Sequence, residues 1–311
     1  MAHPSARPAA GARSRRVWLR MFLTGALLWV LAVVVTFVTG NPNLVPTVVL
    51  LGSFLVPVTF VAWAFGRRRS GEVTSELLFS TFVAGGVLGV LAASLLESYL
   101  LHPSAFLFAG VGLIEEAVKL AVLAVLTRHL RVKFAADGIV LGATVGFGFA
   151  AFESAGYAFT ALFTERGLSL MDLVQTELLR GVLAPVGHGL WTAILGGVLF
   201  SASDHRHFAL TLRLLLSYLG VALLHGLWDA MHGIALVLTL LLTGTPWDYA
   251  QLEQGYQPTG LQADVFTVLS WGGLALISVI GIGWLLAVRA RARRGERQAG
   301  VLWRIPAGRP R

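Results

Sequence analysis

The chain has 311 residues, 56% of them hydrophobic and 13% charged, with a formal net charge of +8 and no cysteine. Long uninterrupted apolar runs at that composition exclude a soluble globular fold and predict an all-α polytopic membrane helix bundle. The absence of thiols excludes disulfides, thiolate metal ligands and a cysteine nucleophile, and basic residues placed beside apolar runs need no nucleic acid to explain them.

In chain order, residues 1–16 form a basic arm with Arg7, Arg13, Arg15 and Arg16. About eight transmembrane helices follow, near 17–39, 44–66, 76–98, 105–126, 137–162, 173–201, 209–243 and 264–288, and a basic tail occupies 289–311. An arginine-rich start before an apolar run also fits a signal peptide. Val17 to Val38 is long for that role, however, and no Ala-x-Ala site follows, so the run reads as an anchor. Gly85, Gly86 and Gly89 in the third span, and Gly138, Gly142 and Gly146 in the fifth, have the small-residue spacing that lets helices approach closely. Pro185 predicts a loosened helix just before His188. The span 209–243 exceeds the ~20 residues a crossing needs, which predicts tilt or extension beyond the bilayer. The loop 243–262 is the longest, and its Trp247, Tyr249 and Tyr256 suit an interfacial anchor or a lid.

Charge then orients the bundle. Of 24 lysines and arginines, 21 lie on one side, in or at the edges of alternate loops and the two termini, Arg166 lies alone on the other side, and Lys119 and Arg180 lie deep within spans. Loops retained in the cytoplasm accumulate Lys and Arg, so both termini are expected there.

Inside the spans lie residues that hydrocarbon does not tolerate unpaired. A charge at the centre of a bilayer helix costs roughly 2.5–3.5 kcal/mol on insertion scales. Glu115 and Glu116 stand in the middle of the fourth span with Lys119 one turn on, and Glu153, His188, His225 and Asp229 occupy the next three. Helical rise places the glutamates and histidines in one layer near the midplane. Glu115 and Lys119 share a stripe, whereas Glu116 is turned ~100° away. His225, Asp229 and His232 line one face, so that Asp229 can accept from one imidazole nitrogen and present the other. These are the groups that activate water, with or without a metal. Asp137 and Asp172 read as helix N-caps. Glu97, His102 and Glu177 read as outer-rim residues, and His129, His205 and His207 as surface residues of basic loops.

The segments EEAVK at 115–119, FAAFE at 149–153 and HGLWD at 225–229 resemble the EExxK, FxxxE and HxxxD motifs of the PrsW-type intramembrane proteases. With RGVLAPVGHGLWT at 180–192, the resemblance covers roughly residues 105–230. That family is similar to the larger superfamily of CAAX prenyl endopeptidases and bacteriocin-processing proteases, whose second motif usually carries histidine where this chain has Glu153. The resemblance implies a membrane-embedded peptidase in a bacterial-type cell membrane, with a protease domain at 17–288. Its substrate would be a membrane-anchored, single-span protein such as an anti-sigma factor. The residues it transfers are Glu115, Glu116, Glu153, His188, His225 and Asp229. No HExxH pair is present, which excludes a zincin site.

One mechanism consistent with these residues has His188, His225 and Glu153 hold a divalent metal, zinc first, while Glu116 or Glu115 deprotonates the attacking water and Lys119 tunes the site. A metal-free version uses one glutamate as base and the histidines to stabilise the oxyanion. Two rivals stand beside the protease. One is a proton- or ion-coupled transporter with a Glu/His relay, which predicts a repeated second half that the chain lacks. The other is a scaffold burying a satisfied polar network, which leaves the four motifs unexplained.

Overall fold

The computed structural model describes residues 17–68, 70–165, 167–203, 207–245, 248 and 257–302, with side chains to 294. The N-terminal arm, Arg69, Arg166, His205, Arg206, the loop aromatics Trp247, Tyr249 and Tyr256, and the tail beyond 302 lie outside the described residues. The helices in chain order are α1 (Val17–Thr39), α2 (Val45–Phe65), α3 (Ser75–Leu100), α4 (Leu107–Thr127), α5 (Ala135–Ala161), α6 (Leu170–Leu183), α7 (His188–Ser201), α8 (Leu212–Thr243) and α9 (Gly260–Leu302).

Among the described residues seven segments are long and apolar enough to cross a bilayer, with α6 and α7 counted as one. The expected eighth span is α4, which has the length at 21 residues but carries Glu115, Glu116 and Lys119 in its centre. Its packing against α8 and α3 supplies what its composition lacks. The all-α polytopic reading therefore stands.

Helix α5 is the central post. Its apolar window is 83% buried, against 6% for α1 at the periphery. Glycines explain how neighbours come so close: a Cβ at Gly138, Gly142 or Gly146 would run into the carbonyl oxygens of Gly196, Thr192 or His188 on α7. On another face, Gly85 and Gly86 of α3 lie against Val145 and Phe152, where α3 widens into a π turn at Ala84–Leu88. The spacing read from sequence thus marks two real contact lines. A short hairpin, Phe163–Thr164 with Gly167–Leu168, leads from α5 into α6, and Gly167 takes φ 109° to make its turn.

The sixth expected span is broken rather than merely loosened. Helix α6 stops at Leu183, a 3-10 turn holds Pro185, and α7 begins anew at His188. Proline has no N–H to donate, and its ring displaces the preceding turn. His188 therefore stands at a helix start, not within a continuous span.

Three polar residues sit differently from the sequence reading. Asp137 is fully buried in the first turn of α5, not at its cap, and accepts the Ser70 N–H at 3.1 and 3.3 Å. The cap of α6 is Ser169, which accepts from the Asp172 N–H at 3.2 Å. Glu177 is buried instead of rim-exposed, because Trp29 of α1 donates its indole N–H to the carboxyl at 2.8 Å. Gly52 of α2 provides the space for that carboxyl. Which helix α1 packs against is a tertiary fact that a local pattern does not carry.

Overpacking a tight helix interface costs about 1–3 kcal/mol. Gly142→Leu is expected to lower the thermal unfolding midpoint in detergent, whereas Gly156→Ala, which faces open space, should leave it unchanged.

Candidate active site

Lys119 organises the site. Its position three residues after Glu116 and four after Glu115 brings both carboxylates to one side of α4. The ammonium meets Glu116 Oε1 at 2.6 Å and Glu115 Oε2 at 3.1 Å. Its third donor reaches across to α7 and meets His188 Nδ1 at 2.9 Å, above the ring of Phe149. The expected separation of Glu116 from Lys119 does not occur, because the lysine stem spans the ~100° between the two sectors. Three acceptors exhaust the three donors of an ammonium group.

The same contact sets the state of the histidine. An ammonium only donates, so Nδ1 of a neutral His188 accepts and its proton resides on Nε2. Nε2 then donates to Glu153 Oε2 at 3.0 Å. Glu153 is gripped in turn by the guanidinium of Arg180, whose Nε donates to Ser154 Oγ at 2.8 Å and whose plane lies 4.2 Å from the Tyr157 ring. Arg180 was not among the residues expected at the site. The available signal was a second cation inside a span, two helical turns before His188.

His225 of α8 is fully buried and engaged at both ring nitrogens. Nδ1 faces Glu116 Oε1 at 3.1 Å, and Nε2 faces Asp229 Oδ2 at 3.3 Å and Glu115 Oε2 at 3.6 Å. The Trp191 ring packs 4.6 Å from it. Glu116 also accepts from Thr192 at 3.4 Å, so that carboxylate is held from α4, α7 and α8 together. His232 shares the stripe of His225 but turns to Phe266 instead.

The structure thus brings Glu115, Glu116, Lys119, Glu153, His188, His225 and Asp229 into one cluster. From the ends of α4, α5, α7 and α8 nearest the basic loops, the backbone positions of these residues lie at about 12–27 Å by helical rise. Exposure is graded across the cluster: the Glu116 and Lys119 side chains are at 0%, Glu115 at 6%, Glu153 at 19%, Arg180 at 26% and Asp229 at 28%. The cluster therefore opens past Asp229 and Arg180, and Glu115 is the α4 carboxylate nearer that opening.

The donors that converge as a metal-ligating group are Glu115, His188 and His225, whose ligand atoms lie within 4.8 Å of one another. Glu115 stands where the sequence reading had Glu153, whose oxygen is committed to Arg180 and His188. Two imidazoles and a carboxylate form a known catalytic zinc set, and bonds of ~2.0–2.1 Å in a tetrahedron put ligand atoms ~3.4 Å apart. Glu115 Oε2 lies 3.7 Å from His188 Nδ1 and 3.6 Å from His225 Nε2. Charge points the same way. Four carboxylates face Lys119, Arg180 and the two imidazoles, so the cluster keeps a negative excess that a bound cation would offset. The chemistry of the donor set fits a divalent metal, although Lys119 already holds two of the three donors.

A helical membrane protein with carboxylates, imidazoles and an ammonium converging at mid-depth is of the kind that performs hydrolysis or proton transfer inside the bilayer. The family described as PrsW family intramembrane metalloprotease matches residues 73–248, and the chain belongs to that family. It is 28% identical over 171 residues to Protease PrsW from Halalkalibacterium halodurans, covering 54% of this chain and 73% of that one. No solved structure matches the chain. The protein is an intramembrane protease, integral to the membrane with several passes.

The geometry orders two stability effects. Removing one partner of a buried ion pair costs about 3–5 kcal/mol. Glu116→Gln, which strips Lys119 of its nearest charge and His225 of its Nδ1 partner, is expected to lower the unfolding midpoint in detergent more than Glu115→Gln. The pairing of Lys119 with Glu115 alone predicts the opposite order.

Proposed function

We propose that the protein is an endopeptidase that cuts membrane-anchored, single-span proteins, an anti-sigma factor among them, with Glu115 as the proton acceptor. The observation that carries the reading is the position of the Glu115 carboxylate between two imidazoles and one ammonium, on the side of the cluster that opens. Glu116 is fully buried with both oxygens engaged inside the protein, so its part is to fix His225 and Lys119.

A divalent metal, zinc first, would be held by Glu115, His188 and His225, and the chemistry it supplies when bound is Lewis-acid polarisation together with a more acidic water. The remaining steps belong to the chain. Water enters past Asp229 and Arg180. Glu115 presents Oε2 to the imidazoles and takes the proton of the attacking water on Oε1. The oxygen so freed adds to the peptide carbonyl, and the developing oxyanion is met by positive charge from Lys119. Glu115 returns the proton to the departing amine. Glu153 and Arg180 hold His188 in place through Nε2, and Glu116 does the same for His225 through Nδ1.

A second reading, in which the same glutamate works without metal, is favoured by the Lys119 contacts to His188 and Glu115. That ammonium then supplies the positive charge by itself. Metal analysis separates the two: stoichiometric zinc that is lost in His225→Ala supports the first, and activity unchanged by chelation with no bound metal supports the second.

Glu115→Gln is expected to abolish cleavage of a co-expressed single-span substrate while the protein remains folded in the membrane. Full activity in that variant would return the base to Glu116 or remove a glutamate base altogether.

The proposed orientation has both termini and the loops at 67–70 and 128–133 in the cytoplasm. It is supported by the partition of basic residues and by the contacts of Ser70 with Asp137 and of Glu72 with Arg131, which gather these loops at one end. Single cysteines at Ser70 and Gln254 should label from opposite sides of the membrane; labelling from one side would refute the arrangement.

A further inference from the structure

At the end of the bundle where the basic loops gather, a cavity of about 290 Å³ opens between α2, α5, α7 and α9. Its two halves differ in chemistry. The deep wall is hydrocarbon, from Phe60, Ile139, Phe147 and Leu285, and it continues inward to Pro185 and Gly189, the residues on either side of the His188 helix start. The mouth carries Arg67, Arg289 and Arg293.

Among the described residues, these arginines are gathered without an acid to explain them. Arg289 and Arg293 lie four residues apart, on one stripe of α9. Arg67 is held ready from α2: its Nη1 donates to the Trp63 carbonyl at 2.9 Å, and its guanidinium lies 3.4 Å over the Trp63 ring. Among the described residues none of the three has a carboxylate within ion-pair distance. Partial burial and then the charge of Arg289 push the Arg67 guanidinium below its ordinary pKa. Three cations brought to one rim repel each other unless an anion joins them.

Charge and an apolar wall together limit the occupant. The chain's own C-terminal tail is basic and is repelled by the rim. A linear hydrocarbon chain ending in a negative group satisfies both halves at once. We propose that this cavity binds an anionic phospholipid, with one acyl chain along the deep wall toward Pro185 and its phosphate between Arg67 and Arg289. Basic pockets between transmembrane helices are a recognised form of headgroup site.

The test uses the purified full chain in detergent, titrated with phosphatidylglycerol or with phosphatidylcholine of the same acyl chains, and bound lipid is counted by native mass spectrometry. Wild type should retain phosphatidylglycerol preferentially. Arg67→Gln with Arg289→Gln should weaken that retention roughly thirtyfold, each charge near an anionic headgroup contributing about fivefold. Ala136→Trp, which fills the cavity without touching a charge, should weaken it too, so the proposal stays falsifiable even where the arginine variant fails to fold. Arg128→Gln with Arg131→Gln, at the same end but outside the cavity, should leave it unchanged. The proposal is overturned by equal retention of the two lipids, by equal losses in the Arg128/Arg131 and Arg67/Arg289 variants, or by undiminished retention in either cavity variant. Displacement of the lipid by millimolar inorganic phosphate would also overturn it, since the site would then belong to a free anion.

Discussion

The Lys119 ammonium is the charge on which the polar interior depends. It is fully buried, and each of its three protons is placed on an acceptor, two on its own helix and one on α7. In hydrocarbon such a group is tolerated only when paired. The carboxylates and His188 therefore hold the lysine in the membrane as much as the lysine holds them. This reciprocity lets α4, with three charges in 21 residues, sit among helices of ordinary hydropathy. It also fixes the tautomer of His188, and through Glu153 it extends to Arg180 near the surface of the cluster.

How much of this was legible from sequence depends on the range of each contact. The bundle, its spans and the residues of the cluster follow from apolar runs and from charges where none belong, and the pairing of Lys119 with Glu115 follows from helical spacing. The contact of Lys119 with His188 does not, because it crosses 69 positions of chain and depends on the rotation of α7. That rotation follows the break at Pro185, which a pattern marks as a weak point without telling whether the helix bends or restarts. Glu177 illustrates the same limit: its burial is produced by Trp29, 148 positions away. Arg180 stood in plain view as a charge within a span, but its role became visible only with Glu153 beside it.

The two carboxylates of the EEAVK segment show how adjacent residues of one type are divided by packing. Glu116 points where α4, α7 and α8 meet and becomes a structural ligand of the histidine. Glu115, one residue earlier, faces the less crowded side, and its contacts to Lys119, His188 and His225 all run through Oε2. Helical spacing from Lys119 separates the two residues but pairs the lysine with Glu115 alone, because it carries no information on how α7 and α8 pack around Glu116.

Helix α5 has a further consequence, for the order in which the protein assembles. Its mean hydropathy of 1.6 is well below the 2.5 of α1, and its glycine faces are shaped to receive the backbone of neighbours rather than lipid tails. Exposed alone to a bilayer, such a helix is apolar enough to cross but leaves two grooves that lipid fills poorly. The peripheral helices can insert as independent units, but α5 gains its place when α3 and α7 close over it. Because α7 begins with His188, the step that encloses α5 is also the one that carries an imidazole to the carboxylates of α4.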